Sequence, residues 1–316
     1  MTSEALAFRI RLHGLEMTHL SHGSHIAPIL SVADVAAVLY NDILNVNPQD
    51  PKMPGRDRLI MSKGHAGAAI YAALAEKGFF PVEELKTHYQ NGSRLSGHVS
   101  HKGVPGVEFS TGSLGHGLPV AMGMAMADKM DGLDRHTFAI LGDGECDEGS
   151  VWEAALIANH YQLENLIAVV DHNKMQSLDY CDNTIRLSPF ADKWKSFGWH
   201  VIEADGHDHN ALKVAFHEAK ANAGAPTVVI AHTVKGKGIS FMEKDILWHY
   251  RFPHKGWEYD CAVNELHQQK PEGVVDPYTP NGICDPQLPD ENEDLASDHT
   301  MSLTYEPTWF AKEHGV

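Results

Sequence analysis

The chain has 316 residues and carries 42 acidic against 25 basic side chains, a formal charge of −17 with histidine neutral. That excess excludes nucleic acid and anionic membrane surfaces as expected partners, because both need a basic face. With 43% hydrophobic and 21% charged residues, most of the chain is expected to fold, as one large or two smaller domains.

The N-terminal stretch MTSEALAFRIRL lacks the basic and apolar regions of a leader peptide, and no run is expected to match the roughly 18 uncharged apolar residues of a membrane helix. A soluble, cytoplasmic protein with no membrane partner is the expectation. The first third reads as mainly helical, with Ser31 as an N-cap before VADVAAVLY and a second helix from about His65 to Lys77. Residues 92–117 (NGSRLSGHVSHKGVPGVEFSTGSLGHG) are too irregular for helix or strand, and a loop that long inside a compact domain is usually functional.

From Thr137 the pattern changes. Apolar runs at Thr137 to Leu141, Leu166 to Val170, His200 to Glu203 and Thr227 to Ala231 alternate with helical stretches at Ser150 to His160, Ser188 to Phe197 and Asn210 to Ala221. Strands apolar on both faces and separated by helices predict an α/β fold with a parallel sheet flanked by helices on both faces. The folded domain is assigned to residues 1–265. Residues 266–316 are assigned to an acidic, Pro-rich extension, since 271–316 hold ten acidic side chains, one Lys and six prolines. Its Tyr305, Trp309 and Phe310 are costly to leave in water, so docking onto this domain or a partner is expected. Cys146, Cys181, Cys261 and Cys284 are far apart with no CxxC pair, suggesting neither a zinc site nor a disulfide framework.

The chemistry concentrates in two segments, FAILGDGECDEG (138–149) and LIAVVDHNKMQ (166–176). Asp143 follows one predicted strand and Asn173 the next, 30 positions on. Ligands of open α/β sheets bind beyond the carboxyl ends of strands, so two neighbouring strands would bring these residues together. Their oxygens suit Mg²⁺ or Ca²⁺, which leave coordination positions for phosphate and water. Gly142 and Gly144 remove side chains where the backbone must approach a large anion, and a helix starting near Ser150 would aim its N-terminus at the same region. A GDG turn alone is weak evidence; the second half, a strand ending in Asp-x-Asn at a βαβ spacing, strengthens it.

In this arrangement the chain resembles the thiamine-diphosphate signature and, through SHIAPILSVADVAAVLY, DRLIMSKGHAGAAIYAAL, SGHVSHKGVPGVEFSTGSLGHGL and HTVKGKGISFMEKDILWH in order, the N-terminal part of the transketolase family over about Leu6 to Trp257. The resemblance implies the diphosphate-binding fold of thiamine-diphosphate enzymes, with Asp143 and Asn173 as side-chain ligands to Mg²⁺ (or Ca²⁺) and the Met175 carbonyl as a backbone ligand. It places Gly142, Gly144 and Glu145 against the diphosphate and Gly112, Ser113 and Leu114 beside the aminopyrimidine. His65 and His249 would lie near the diphosphate and thiazolium, and His25 and His98 would hydrogen-bond sugar hydroxyls. Glu148 matches a carboxylate at the subunit interface; it would serve equally as a first-turn carboxylate favoured by the helix dipole. Lys235 and Lys237 either neutralise phosphate or are exposed turn residues, the second reading being preferred. Ser24, His172, Tyr180 and Tyr250 depart from the family pattern, so the resemblance leaves the sugar open.

Relatives activate the cofactor from a second, pyrimidine-binding domain, which is not expected within these 316 residues. The resemblance therefore implies a split enzyme, in which a C-terminal transketolase subunit with the pyrimidine domain joins this one, as α₂β₂, to move a two-carbon ketol unit from a ketose or ketose phosphate to an aldehyde. The alternatives are the α-type subunit of a 2-oxo-acid dehydrogenase, a 1-deoxyxylulose-phosphate-synthase-like enzyme and a non-catalytic scaffold subunit.

Overall fold

The computed structural model describes residues 1–275. Five parallel strands form one sheet in the order β1-β2-β3-β5-β4. They are β1 (Arg58–Met61), β2 (Thr137–Gly142), β3 (Leu166–His172), β4 (His200–Asp205) and β5 (Thr227–His232). The four strands expected from the sequence are present, and β1 is an addition. With only four residues and three of them buried, β1 shows no alternation that separates strand from buried helix.

Side chains leave each strand alternately for two helical layers. Phe138, Ile140, Ile167, Val169 and Val229 pack with α1 (Ser3–Ser21), α2 (Ile26–Val38), α3 (Gly67–Glu76) and α8 (His209–Ala221). Ala139, Leu141, Ala168, Val170 and Ile230 pack on the other face with α4 (Gly117–Met130), α5 (Gly149–His160), the short α6 (Cys181–Thr184) and α7 (Phe190–Ser196). A third cluster joins α1 and α2 to α9 (Trp257–Gln268) through Phe8, Leu12, Ile26, Trp248 and Leu266. The central strands β2, β3 and β5 are thus buried on both sides, as a parallel sheet requires, while the edge strand β4 stays partly exposed.

Two helical expectations are corrected. Ser31 does not cap a helix: α2 starts five residues earlier, after His25, and Pro28 sits in its first turn, where no amide donor is needed. Ser31 is instead fully buried mid-helix. The apolar run is also longer than the sequence suggested, since Ile26–Ile43 is long and apolar enough to cross a membrane, with a mean hydropathy of 1.5. Its window is 89% buried inside the protein, so it serves as a core helix.

Residues 88–116 contain no helix or strand, in keeping with the expected long loop. Cys146 and Cys181 are free and buried, whereas Cys261 is disulfide-bonded, a bridge that the spacing did not suggest. The 265/266 boundary falls inside α9. The predicted docking of Tyr305, Trp309 and Phe310 lies outside the described residues.

Candidate active site

Parallel pairing sets Gly142 opposite Asp171, so the chain leaves β2 and β3 at one edge and carries Asp143 and Asn173 to the same place. Turns following β1 and β5 reach it as well, bringing Lys63 and Lys235. Together they enclose a cavity of ≈ 330 Å³. Among the residues expected at the site, His25, His65, His98, Gly112, Leu114, Gly142, Asp143, Gly144, Glu145, Asn173, Met175 and His249 line it. Ser113 and Glu148 do not; both are exposed.

Asp143 Oδ1 accepts from the Gly144 amide at 2.8 Å, while Oδ2 accepts from the Lys174 amide and lies 3.2 Å from His172 Nδ1. His172, a departure from the family pattern, therefore supports this carboxylate. Lys174 has φ 67°, in the left-handed region that costs a side-chain-bearing residue about 1–3 kcal/mol. That bend allows the Asn173 side chain and the Met175 carbonyl to serve one cavity. Asn173 Oδ1 accepts from the Met175 amide at 3.1 Å and keeps a second lone pair. One carboxylate, one amide oxygen and one carbonyl form a hard donor set suited to Mg²⁺ or Ca²⁺ with outside ligands completing the shell. No group of three or more His, Cys, Asp or Glu among the described residues could hold an ion alone.

Two lysines that the sequence did not place here dominate the charge of the cavity. Lys63, 1% exposed, forms an ion pair with Asp171, which is fully buried. Burial alone would raise the Asp171 pKa, but the Lys63 ammonium and hydrogen bonds from Thr233 and Ser31 take it below the usual carboxylate value. Lys235, 2% exposed, donates to the carbonyls of Met175 (3.1 Å) and Gln176 (2.9 Å) and to His249 Nδ1 (2.8 Å). The reading of Lys235 as an exposed turn residue is therefore wrong. Its pKa falls to about 8 through burial and the neighbouring Lys63.

The four histidines meet at this edge. The His25 ring lies 5.2 Å from His65, 5.5 Å from His98 and 5.1 Å from His249 between centroids, and His65 lies 5.4 Å from His249. Burial, reinforced by neighbouring cations, depresses His25 to about 4 and His249 to about 2 and takes His65 well below its ordinary value. At neutral pH these rings are uncharged, and each offers one donor and one acceptor nitrogen. Since His249 Nδ1 accepts from Lys235, its proton sits on Nε2. His25 adopts φ 81° and its Nδ1 is buried without a hydrogen-bond partner, a strained and unsatisfied group of the kind that marks working sites. Tyr250 joins the lining, with its ring 4.7 Å from His249, whereas Tyr180 stays outside it.

Glu145 lines the cavity as a brace. It is 2% exposed and accepts from Ser62 Oγ, the Gly115 amide (2.9 Å) and the Gly142 amide (3.1 Å), tying three segments together. Burial raises its pKa despite those bonds. Gly144 has its own packing reason to lack a side chain, because an added Cβ would fall 2.5 Å from Gln176 Cγ. The expected aim of the α5 N-terminus at the site is not observed: a 3₁₀ turn at Gly144–Asp147 intervenes, and residues 148–150 are absent from the lining.

Comparison with known proteins agrees with this geometry. Residues 2–249 match the family described as transketolase, thiamine diphosphate binding domain. The chain is 43% identical over 246 residues to the 6-deoxy-6-sulfo-D-fructose transketolase subunit SqwG of Clostridium sp. (strain MSTE9), covering 78% of this chain and 89% of that protein. It is 40% identical over 268 residues to an apulose-4-phosphate transketolase subunit of Phocaeicola vulgatus, covering 85% of this chain and 95% of that protein. The solved transketolase of Leishmania mexicana superposes with a TM-score of 0.79 at 30% identity, over 84% of this chain but only 41% of its own. With matched strand-end motifs, a common fold and a family match spanning most of its length, the chain belongs to the transketolase family and contains its thiamine diphosphate-binding domain.

Proposed function

We propose that this chain is the diphosphate-binding subunit of a two-subunit transketolase that moves a two-carbon ketol unit between sugars. One observation carries the reading: Lys235, a buried ammonium with neutral partners only among its hydrogen bonds, faces the same cavity as three hard oxygen donors and four uncharged imidazoles. An anion carrying a divalent ion supplies the charge that this arrangement lacks. Asp143, Asn173 and the Met175 carbonyl would hold Mg²⁺ or Ca²⁺, with Lys235 and the Gly144 turn on the diphosphate. Bound thiamine diphosphate supplies the nucleophilic carbon for breaking and re-forming carbon–carbon bonds.

The chain's own groups handle the sugar. Neutral His25 and His98 accept from or donate to ketose hydroxyls, and His249 presents Nε2–H as a fixed donor. Tyr250 lines the cavity with its ring against those of His25 and His249. The two relatives named above are subunits named for a sulfonated and a phosphorylated sugar, which supports an anionic sugar as substrate here.

Both relatives are also named as subunits, which supports a separate polypeptide carrying the pyrimidine-binding half; α₂β₂ is the assembly proposed for the pair. Calorimetry on the chain with its partner should show thiamine diphosphate binding that depends on Mg²⁺, and Asp143→Ala should abolish it. Turnover of xylulose 5-phosphate by the reconstituted pair, and none by the isolated chain, is the expected activity result. Full turnover by the isolated chain would refute the split enzyme, and turnover of pyruvate in place of the sugar would favour the 2-oxo-acid dehydrogenase reading.

A further inference from the structure

Asn173 can present either end of its amide to a cation, and only the carbonyl end binds one. A device that fixes the amide is therefore worth as much as the ligand itself. Asn173 Nδ2 donates to Ser31 Oγ and to Asp171 Oδ2, both at 3.2 Å. Ser31 Oγ in turn donates to both oxygens of Asp171, at 2.7 and 2.8 Å, and Thr233 Oγ1 and Lys63 Nζ close the remaining sides of that carboxylate. Asp171 has no exposure to solvent.

Surrounded by donors, Asp171 can only accept. It forces the NH₂ end of Asn173 toward itself and leaves Oδ1 on the opposite side. An inverted Asn173 would set its carbonyl against a buried carboxylate and its NH₂ group against the Met175 N–H, acceptor facing acceptor and donor facing donor. We propose that Asp171 is a positioning residue that sets the orientation of the Asn173 amide, with Ser31 as the second contact to the same NH₂ group. Lys63 has the complementary task of pairing with Asp171 inside the sheet, which fixes the carboxylate that the amide faces. The polar groups come from four separated segments, α2, the turns after β1 and β5, and β3 itself, so the orientation of one amide is read out by the whole strand-end architecture.

The proposal rests on the metal–diphosphate reading of the cavity, and its test keeps the two apart. Mg²⁺ is titrated calorimetrically into the full chain, together with its partner, in saturating thiamine diphosphate. If the unmodified protein fails to bind, or Asp143→Ala binds as the unmodified protein does, the underlying reading fails. With those controls in order, Asp171→Asn should weaken Mg²⁺ binding roughly 10- to 100-fold; because it also leaves the buried Lys63 ammonium unpaired, it should lower the unfolding temperature as well, so the affinity is read below that temperature.

The exchange of side chains, Asp171→Asn with Asn173→Asp, supplies the readout that a packing role would not move. A carboxylate at 173 shows the ion an oxygen in either orientation, so the double variant should recover most of the affinity lost in Asp171→Asn. Unchanged affinity in Asp171→Asn overturns the proposal, as does a double variant as weak as the single one. If Asp171→Asn does not fold, Ser31→Ala tests the same contact: a smaller loss of Mg²⁺ affinity supports the proposal, and no loss overturns it.

Discussion

Protonating a buried imidazole requires moving a charge out of water, and His88 illustrates the consequence away from the cavity. It lies between the rings of Tyr71 and Tyr89, 3% exposed, and burial takes its pKa from 6.5 to about 4. Between those values the unfolded chain binds the proton that the folded chain refuses. The stabilisation is thus complete above pH 6.5 and is lost as pH falls toward 4, at up to about 1.4 kcal/mol per pH unit for one group. His25 acts in the same direction. The melting temperature should therefore drop between pH 7 and pH 5, and His88→Leu should flatten that drop; an unchanged pH profile would show that His88 plays no part. Asp143, Asn173 and the four imidazoles were legible in the sequence because each sits in a spaced motif. Lys235 was not, because Gly236 and Gly238 within VKGKG read as a surface turn, and nothing local reveals the carbonyls folding over its ammonium. The bond between Ser31 and Asp171 spans 140 positions, which no local pattern records.

The glycines at the mouth of α3 show how an element governs the loop over it. Adding a Cβ at Gly67 would bring it 2.6 Å from the Val99 amide nitrogen, backbone that has no free rotation to yield. The neighbouring Tyr71 hydroxyl donates to the His98 carbonyl at 3.2 Å and accepts from the Ser100 amide at 2.8 Å, so the irregular loop is seated on this helix. Gly67→Ala should destabilise the chain by about 1–3 kcal/mol in urea unfolding through forced displacement of that loop. A stabilised variant, the usual result of Gly→Ala within a helix, would contradict the packing. Strands β2, β3 and β5 were readable because burial on both faces leaves continuous apolar runs bounded by turns. The start of α2 was not: His25 opens it without a side-chain cap bond, and the polar Ser31 looked like a boundary.

At the scale of the molecule, α4 and α5 lie side by side with an apolar outer surface. Leu156, Tyr161 and Met130 are 58%, 52% and 81% exposed there, and Met122, Met124 and Met126 are partly covered. Exposed apolar side chains on α4 and on α5, the helix that Glu148 precedes, fit the contact between two copies of this chain in the proposed α₂β₂ assembly. Leu156→Glu should halve the mass measured by light scattering for that assembly while leaving the unfolding temperature of the isolated chain within a degree or two; retention of the full mass would exclude this face. Handling follows from the cavity itself. Lys63 is ion-paired with Asp171 inside the sheet, while the hydrogen bonds of Lys235 go to two carbonyls and an imidazole, with Asp143 and Asp171 acting on it only through space. Inorganic phosphate or sulfate is the simplest molecule able to give it a contacting anion. Preparations in phosphate buffer or salted out with sulfate carry a built-in competitor for the vitamin coenzyme, and a purification in neutral organic buffer is the fair starting point for measuring its affinity.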